Sequence, residues 1–216
     1  MNPVGRRPLK SRERRWPRAL AVWLAARGVR PNGVSIASVG FAALAGVCLW
    51  QSIEESGDTN GLLLVLAAAF VQLRLLCNLL DGLIAVEGGL GSPVGEIYND
   101  LPDRVADSLV FVGCGLALRS LSYGMTLGWL TALLALLTAY VRMLGGALGL
   151  AQDFVGPMAK QHRMFVVTLG CIAGAIEAAF GRPPRLLWLA LVVVVVGSAA
   201  TAVRRTARIA RGLRSR

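Results

Sequence analysis

The sequence predicts an all-α integral membrane protein, with six transmembrane helices in one domain and an N-terminal amphipathic helix in the headgroup plane. Three observations predict it. Hydrophobic residues make up 55% of the 216 residues and charged residues only 16%, against about 25% charged in an ordinary soluble domain. The apolar residues gather into six runs, each near the roughly 20 helical residues that cross a bilayer core. The net charge of +11 sits at the ends, with nine Lys/Arg in residues 1–30 and six in residues 204–216. Beside membrane spans, such clusters mark cytoplasmic flanks and contacts with anionic lipid. No nucleic-acid partner is expected.

Taken in order, residues 1–12 are basic and carry two prolines, Pro3 and Pro8, and read as a cytoplasmic tail. Residues 13–27 read as the amphipathic helix, with Trp16, Leu20, Trp23 and Leu24 on one face. They either lie in the headgroup plane or pack on the spans. They make a poor signal peptide, because Pro17 and Arg18 break the apolar part. Pro31 and Asn32 stop that helix and start the first span, about 33–50, with Ser35 in its first turn. The loop 51–61 carries acids and no Lys or Arg, as an outer loop should. Further spans are expected at about 62–85, 99–118, 125–148, 164–180 and 186–203, followed by a basic tail, 204–216. An even number of spans puts both basic ends in the cytoplasm, leaving Arg119, Arg182 and Arg185 outside. Cys48, Cys77, Cys114 and Cys171 each stand alone in an apolar run and read as small buried hydrophobes. Runs of small residues, 43–46 and 145–149, suit close helix packing, within one chain or between two.

Against this background one stretch stands out. Residues 78–107 carry Asp81, Glu87, Glu96, Asp100, Asp103 and Asp107, half of the chain's twelve acids. Acids at the end of a membrane segment are costly unless they bind a cation, pair or reach water. Arg74, Asn78, Asp81 and Ala85 fall on one helix face, and Gly95, Asn99, Asp103 and Asp107 fall on another. Two helices would thus turn carboxylates and carboxamides toward each other across a bend containing Gly88, Gly89, Gly91 and Gly95. Such oxygen donors suit a hard divalent cation that also binds a substrate phosphate. They equally suit a buried polar network joining two membrane helices.

The same residues resemble the signature of the CDP-alcohol phosphotransferases, integral membrane enzymes of phospholipid synthesis. That signature reads D, two residues, DG, two residues, AR, eight or nine residues, G, three residues, D, three residues, D. The chain matches at Asp81, Gly82, Ala85, Gly95 and Asp103. It departs at Asn78 and Asn99, where the signature has Asp, and at Val86, where it has Arg. The opening Pro31-Asn32 with Ser35 and the six-span plan are similar to the family as well. The resemblance implies transfer of a phosphatidyl or related phospho-group from a CDP-activated lipid to an alcohol acceptor, with release of CMP. It implies a divalent metal, Mg or Mn, at the positions of Asp81, Asn78, Asn99 and Asp103. Asp103 would be the catalytic base, and Asn32, Ser35, Asp81, Gly82, Ala85 and Gly95 would face the nucleotide. A homodimer in the inner membrane is also implied.

The two asparagines leave the site two negative charges short. Arg74 can pair with Asp81 or stand in for part of a metal's role, and Glu87, Glu96, Asp100 or Asp107 can supply a missing carboxylate. Asp100, beside Asn99, is an additional candidate metal ligand. Arg104, Arg142, Lys160 and Arg163 are candidates for binding a phosphate on the acceptor. Lys160, His162 and Arg163 are placed in a cytoplasmic loop before the fifth span, where His162 reads as solvated. Two other functions remain open: a non-catalytic protein that binds CDP-lipid or nucleotide, and a small transporter using Arg74, Asp81 and Asp103.

Overall fold

The computed structural model describes residues 15–52, 58–90, 93–154 and 156–215. The expected basic tail 1–12, residues 53–57 of the outer loop and Gly91 lie outside them. The described residues form seven helices: α1 (Arg15–Ala26), α2 (Pro31–Gln51), α3 (Asp58–Glu87), α4 (Gly95–Ala117), α5 (Gly124–Ala147), α6 (Lys160–Ala179) and α7 (Arg185–Arg214). Local sequence sets the boundaries. Gly28, at φ +77°, ends the turn after α1, a conformation that glycine adopts without steric cost. Pro31 opens α2 behind an extended Arg30, because proline's missing N–H costs nothing in a first turn. Gly89, at φ +62°, turns the chain after α3.

Helices α2 to α7 close into a ring. α2 packs on α3 and α4, α3 on α6, α6 on α7, α7 on α5, and α5 on α4, while α1 lies outside against α3. Glycines let the helices approach closely: a Cβ on Gly113 would stand 2.8 Å from the Gly46 Cα, and one on Gly128 would stand 2.5 Å from the Gly115 Cα. Gly145 packs against Ile209. The small-residue runs at 43–46 and 145–149 thus take part in packing within the chain. The ring interior holds apolar residues such as Ala45, Leu64, Val110, Phe111 and Leu191. Large apolar side chains point outward, among them Leu62, Leu133, Phe165 and Val196, each more than half exposed. Such a surface suits lipid, and a water-facing monomer rarely exposes contiguous apolar area on that scale.

Five of the described helices are long and apolar enough to cross a membrane: α2, α3, α5, α6 and α7. α4 is as long, at 23 residues, but carries four acids and one arginine between Glu96 and Asp107. It begins at Gly95 rather than near residue 99, and Pro102 lies inside it, where the ring removes one backbone bond and opens the turn before Asp103. The two later departures from expectation have one cause. α6 begins at Lys160, so Lys160, His162 and Arg163 are helical rather than in a loop. α7 runs on to Arg214, so the expected basic tail is mostly helix. In both places charge read as solvent exposure. Arg163 and Arg205 are instead buried, because partners inside the ring receive them.

The expected apolar face of α1 is divided. Leu20, Ala21, Leu24 and Ala25 pack with Leu80, Leu83 and Ile84 of α3. Trp16 and Trp23 stay about half exposed, with the Arg27 guanidinium 4.0 Å over the Trp23 ring. Among the described residues all four cysteines are free, Cys114 and Cys171 buried and Cys48 and Cys77 half-buried.

The close glycine contacts give a first test. Gly128→Ala forces backbone against backbone and should cost about 1–3 kcal/mol. Gly40→Ala, which meets nothing within 4 Å, should be neutral or slightly stabilising. Unfolding in detergent by denaturant titration reads both.

Candidate active site

The polar end of the ring is built from the second half of α3, the first half of α4, the last turns of α5, the start of α6 and the second half of α7. Its deepest element is an ion triad. Arg74 of α3 is 0% exposed and Asp107 of α4 is 1% exposed. Arg74 Nη2 donates to Asp107 Oδ1 at 2.5 Å, and Arg163 Nη2 of α6 donates to Asp107 Oδ2 at 3.1 Å. Arg74 also donates to the Asp103 carbonyl at 3.4 Å and meets the Met164 sulfur at 3.0 Å. Arg163 donates to Thr138 Oγ1 and the Met158 carbonyl, and Arg205 of α7 donates to the Thr138 carbonyl. A buried charge is tolerated only when paired and hydrogen-bonded, and these three meet that condition.

One turn above Asp107, Asp103 pairs with Lys160 Nζ. Arg74 and Arg104 stand 3.7 and 3.9 Å from its carboxylate. Asp100 accepts from Arg142 at 2.5 Å and lies 3.5 Å from Arg104. Asp81 is 4% exposed. Its Oδ2 accepts from Ser35 Oγ at 2.6 Å, and its Oδ1 is buried without a hydrogen-bond partner. Asn78 likewise buries an unpartnered amide nitrogen.

These side chains surround a cavity of about 500 Å³, lined by Asn78, Asn99, Asp100, Asp103, Arg104, Arg142, Lys160, Arg163 and Arg205, with Trp16 and Phe154 at its apolar wall. That volume lies within the range of small-molecule sites, about 300–1,000 Å³. The Arg142 guanidinium stacks 5.4 Å over the Phe154 ring. Cations outnumber carboxylates here, so the cavity suits a substrate rich in phosphate.

The structure therefore gathers most of the residues expected at the site. Asn78, Asn99, Asp100, Asp103, Arg104, Arg142, Lys160 and Arg163 line one cavity. Asn32, Ser35, Asp81, Gly82, Ala85 and Gly95 are not among its lining residues. Asp81 and Ser35 sit behind it at the junction of α2 and α3. Arg74 pairs with Asp107 and Asp103, not with Asp81. Among the possible extra carboxylates, Asp107 is held between two arginines, Asp100 between Arg142 and Arg104, and Glu87 pairs with Arg18 of α1 at 3.1 Å. The side chain of Glu96 lies outside the described residues. His162 is exposed, with Nδ1 3.2 Å from the Pro157 carbonyl, and does not line the cavity. Arg205 and Thr138 escape a reading of the sequence, since Arg205 stands in a basic run and Thr138 in an apolar one.

Among the described residues no group of three or more His, Cys, Asp or Glu is arranged to hold a metal ion. The cavity wall offers the Asp103 carboxylate and the amides of Asn78 and Asn99, with the unpartnered oxygen of Asp81 buried behind it. All are oxygen donors, the type that a hard divalent cation takes.

No model of a protein family matches the chain. Inner membrane protein YnbA of Escherichia coli strain K12 is 24% identical over 166 residues, covering 77% of this chain and 78% of that protein. Phosphatidylinositol phosphate synthase of Mycolicibacterium smegmatis is 27% identical over 184 residues, covering 82% and 76%. Among solved structures, Mycobacterium tuberculosis phosphatidylinositol phosphate synthase (PgsA1) superposes with a TM-score of 0.75 at 21% identity. The likeness covers 89% of this chain and 88% of that one in its complex with manganese and citrate, and 91% and 94% with CDP-DAG bound. The fold is the same in both.

The triad and the outer pairs differ in what their loss should cost. Asp107→Ala strands two buried guanidinium groups and should lower stability by about 3–5 kcal/mol. Asp100→Ala removes a carboxylate that is 33% exposed and should cost about 1 kcal/mol or less. Denaturant titration of both variants in the same detergent separates them.

Proposed function

We infer that this chain belongs to the CDP-alcohol phosphotransferase family and transfers a phosphatidyl group from a CDP-activated lipid to an alcohol acceptor, releasing CMP. The observation that carries the reading is the meeting of Asp103, Asn78 and Asn99 at one cation-lined cavity of about 500 Å³, with Asp81 behind it. Their spacing in sequence is that of the family's signature. The sequence relative that makes phosphatidylinositol phosphate, and the solved structure that binds CDP-DAG on the same fold, support it.

Asp81, the Asp103 carboxylate and the amide oxygens of Asn78 and Asn99 would hold a divalent metal, magnesium or manganese. A bound divalent ion offsets the charge of the donor's pyrophosphate and of the departing CMP. The chain's own residues do the rest. Ser35 fixes one oxygen of Asp81 and so aims the other. Asn32, Gly82, Ala85 and Gly95, along the α2, α3 and α4 ends, would accommodate the nucleotide. Arg104, Arg142, Lys160 and Arg163 would hold phosphate on the acceptor, which makes a phosphorylated alcohol the acceptor the pocket fits best. Asp103, buried at the cavity wall, would take the proton from the acceptor hydroxyl as that oxygen attacks the phosphorus bearing the lipid. The bond to CMP breaks, and CMP leaves with the negative charge.

The same reading includes α4 as a sixth span, as a helix lined inward by its charges and outward by Ile97, Leu101, Val105 and Leu109. Both ends then lie in the cytoplasm, beside the active site, with α1 in the headgroup plane presenting Trp16 and Trp23 to lipid. The described residues form one such domain. A homodimer belongs to this proposal through the family resemblance, since the small-residue runs take part in packing inside the chain.

A second reading has one observation in its favour. Asn78 and Asn99 line the cavity at the positions where the signature has carboxylates, and a protein that binds CDP-lipid without turnover would carry such replacements. The test is CMP release by the purified protein in detergent, given CDP-diacylglycerol and alcohols with and without a phosphate. Release that needs magnesium or manganese, favours the phosphorylated acceptors and falls about 10²–10⁴-fold in Asp103→Asn is the expected result. Donor binding without CMP release under any condition selects the binding protein.

A further inference from the structure

The outward face of the ring carries a second recess, a groove of about 700 Å³ between α2, α4 and α5. Its walls include Ala43 and Val47 of α2, Leu109 of α4 and Leu136 of α5. Along α4 the lining runs from Arg104 to Leu116, a rise of about 18 Å. One leaflet of a bilayer core is roughly 15 Å thick. Trp50, in the last turn of α2, and Trp129, beside the Gly115–Gly128 contact, lie at the far end. Leu44, Leu101 and Leu133 flank the groove and are exposed. Arg104 also lines the active-site cavity, so it stands in the wall between cavity and groove. Its pairing there is loose. Asp100 takes a short bond from Arg142, and Asp103 pairs with Lys160. Arg104 is left 3.5 and 3.9 Å from those two carboxylates, with its Nε donating to the Asp100 carbonyl. Contacts that long leave the guanidinium capacity for a further anion.

We propose that this groove binds one anionic phospholipid of the surrounding membrane, with an acyl chain lying along α4 and the headgroup phosphate at Arg104. Three features select this occupant. The lining is apolar apart from Arg104 and Ser108, whose hydroxyl already donates to the Arg104 carbonyl. The length is that of a chain from a single leaflet. The one cation stands at the end nearest the polar cavity, where it draws a phosphate, as basic residues beside a membrane draw anionic lipid. The proposal goes beyond the transferase reading and does not need it, because this lipid is bound and not consumed.

The experiment titrates the full-length protein in detergent with phosphatidylglycerol brominated on its acyl chains. Trp16, Trp23 and Trp188 are replaced by Phe, so that quenching reports on Trp50 and Trp129. Quenching should saturate at one lipid per chain. Brominated phosphatidylcholine should bind about fivefold more weakly, the worth of one basic residue beside an anionic lipid. Arg104→Gln should remove that difference. Ala43→Phe, which fills the groove, should abolish saturation, with Ser108→Leu used where Ala43→Phe is poorly recovered. Leu44→Phe, outside the lining, should bind as its parent does. Quenching that never saturates, equal affinity for the two lipids, or full binding in the filled groove overturns the proposal. CDP-diacylglycerol that displaces the brominated lipid more strongly than plain phosphatidylglycerol does would make the groove the donor's own and also overturn it. So would a dimer in sedimentation whose Trp50 and Trp129 stay shielded from bromine, which gives the groove to a second copy.

Discussion

A single buried carboxylate holds the polar end of the molecule together. Asp107 takes one guanidinium from α3 and one from α6, and all three side chains are almost wholly removed from solvent. None of the three charges can be buried there alone, because an unpaired ion in a protein interior costs several kcal/mol. Together they fix the rotation of three helices about their own axes. With Arg74 pointing at Asp107, the same face of α3 brings Asn78 and Asp81 toward the site one and two turns later. With Asp107 pointing at Arg74, the same face of α4 brings Asp103 and Asn99 to the cavity wall. The helix bearing Arg163 places Lys160 one turn away, against Asp103.

This arrangement gives the cavity its chemical character. The carboxylates of Asp100, Asp103 and Asp107 are each assigned cations, and the surplus of cations faces inward. Such a pocket is poised for a ligand that brings several negative charges with it, as a pyrophosphate-linked lipid and a phosphorylated alcohol do together. Asn78 and Asn99 fit that balance. Where arginine and lysine already pair with the acids, neutral amides line the cavity without adding charge to it.

Much of this was legible in the sequence because membrane helices obey two simple periodicities. Hydrophobic length placed the helices to within a few residues, apart from the C-terminal end of α7, and the four-residue repeats of Arg74-Asn78 and Asn99-Asp103-Asp107 put those residues on facing surfaces. What the sequence did not show was pairing. Arg74 had a plausible partner in Asp81, seven residues away on its own face, yet its partner is Asp107, 33 residues on in the chain. Arg163 and Arg205 looked like flanking positive charge because their partners are an acid on another helix and a backbone carbonyl on α5. Thr138 looked like filler in an apolar run. The division of α1, with Leu20 and Leu24 inward and both tryptophans outward, depends on the groove that α3 offers it, which is a tertiary fact.

A double-mutant cycle on Arg74 and Asp107 tests most directly whether the buried pair organises the site. Arg74→Met, Asp107→Asn and the double variant would be compared in unfolding free energy and in affinity for CDP-diacylglycerol. If the pair sets both stability and the site, each single variant loses stability and donor affinity. The double variant, with no stranded charge, then recovers stability with a coupling energy of about 2 kcal/mol or more while donor binding stays impaired. Additive losses in stability, or single variants that bind the donor as the wild type does, would contradict it.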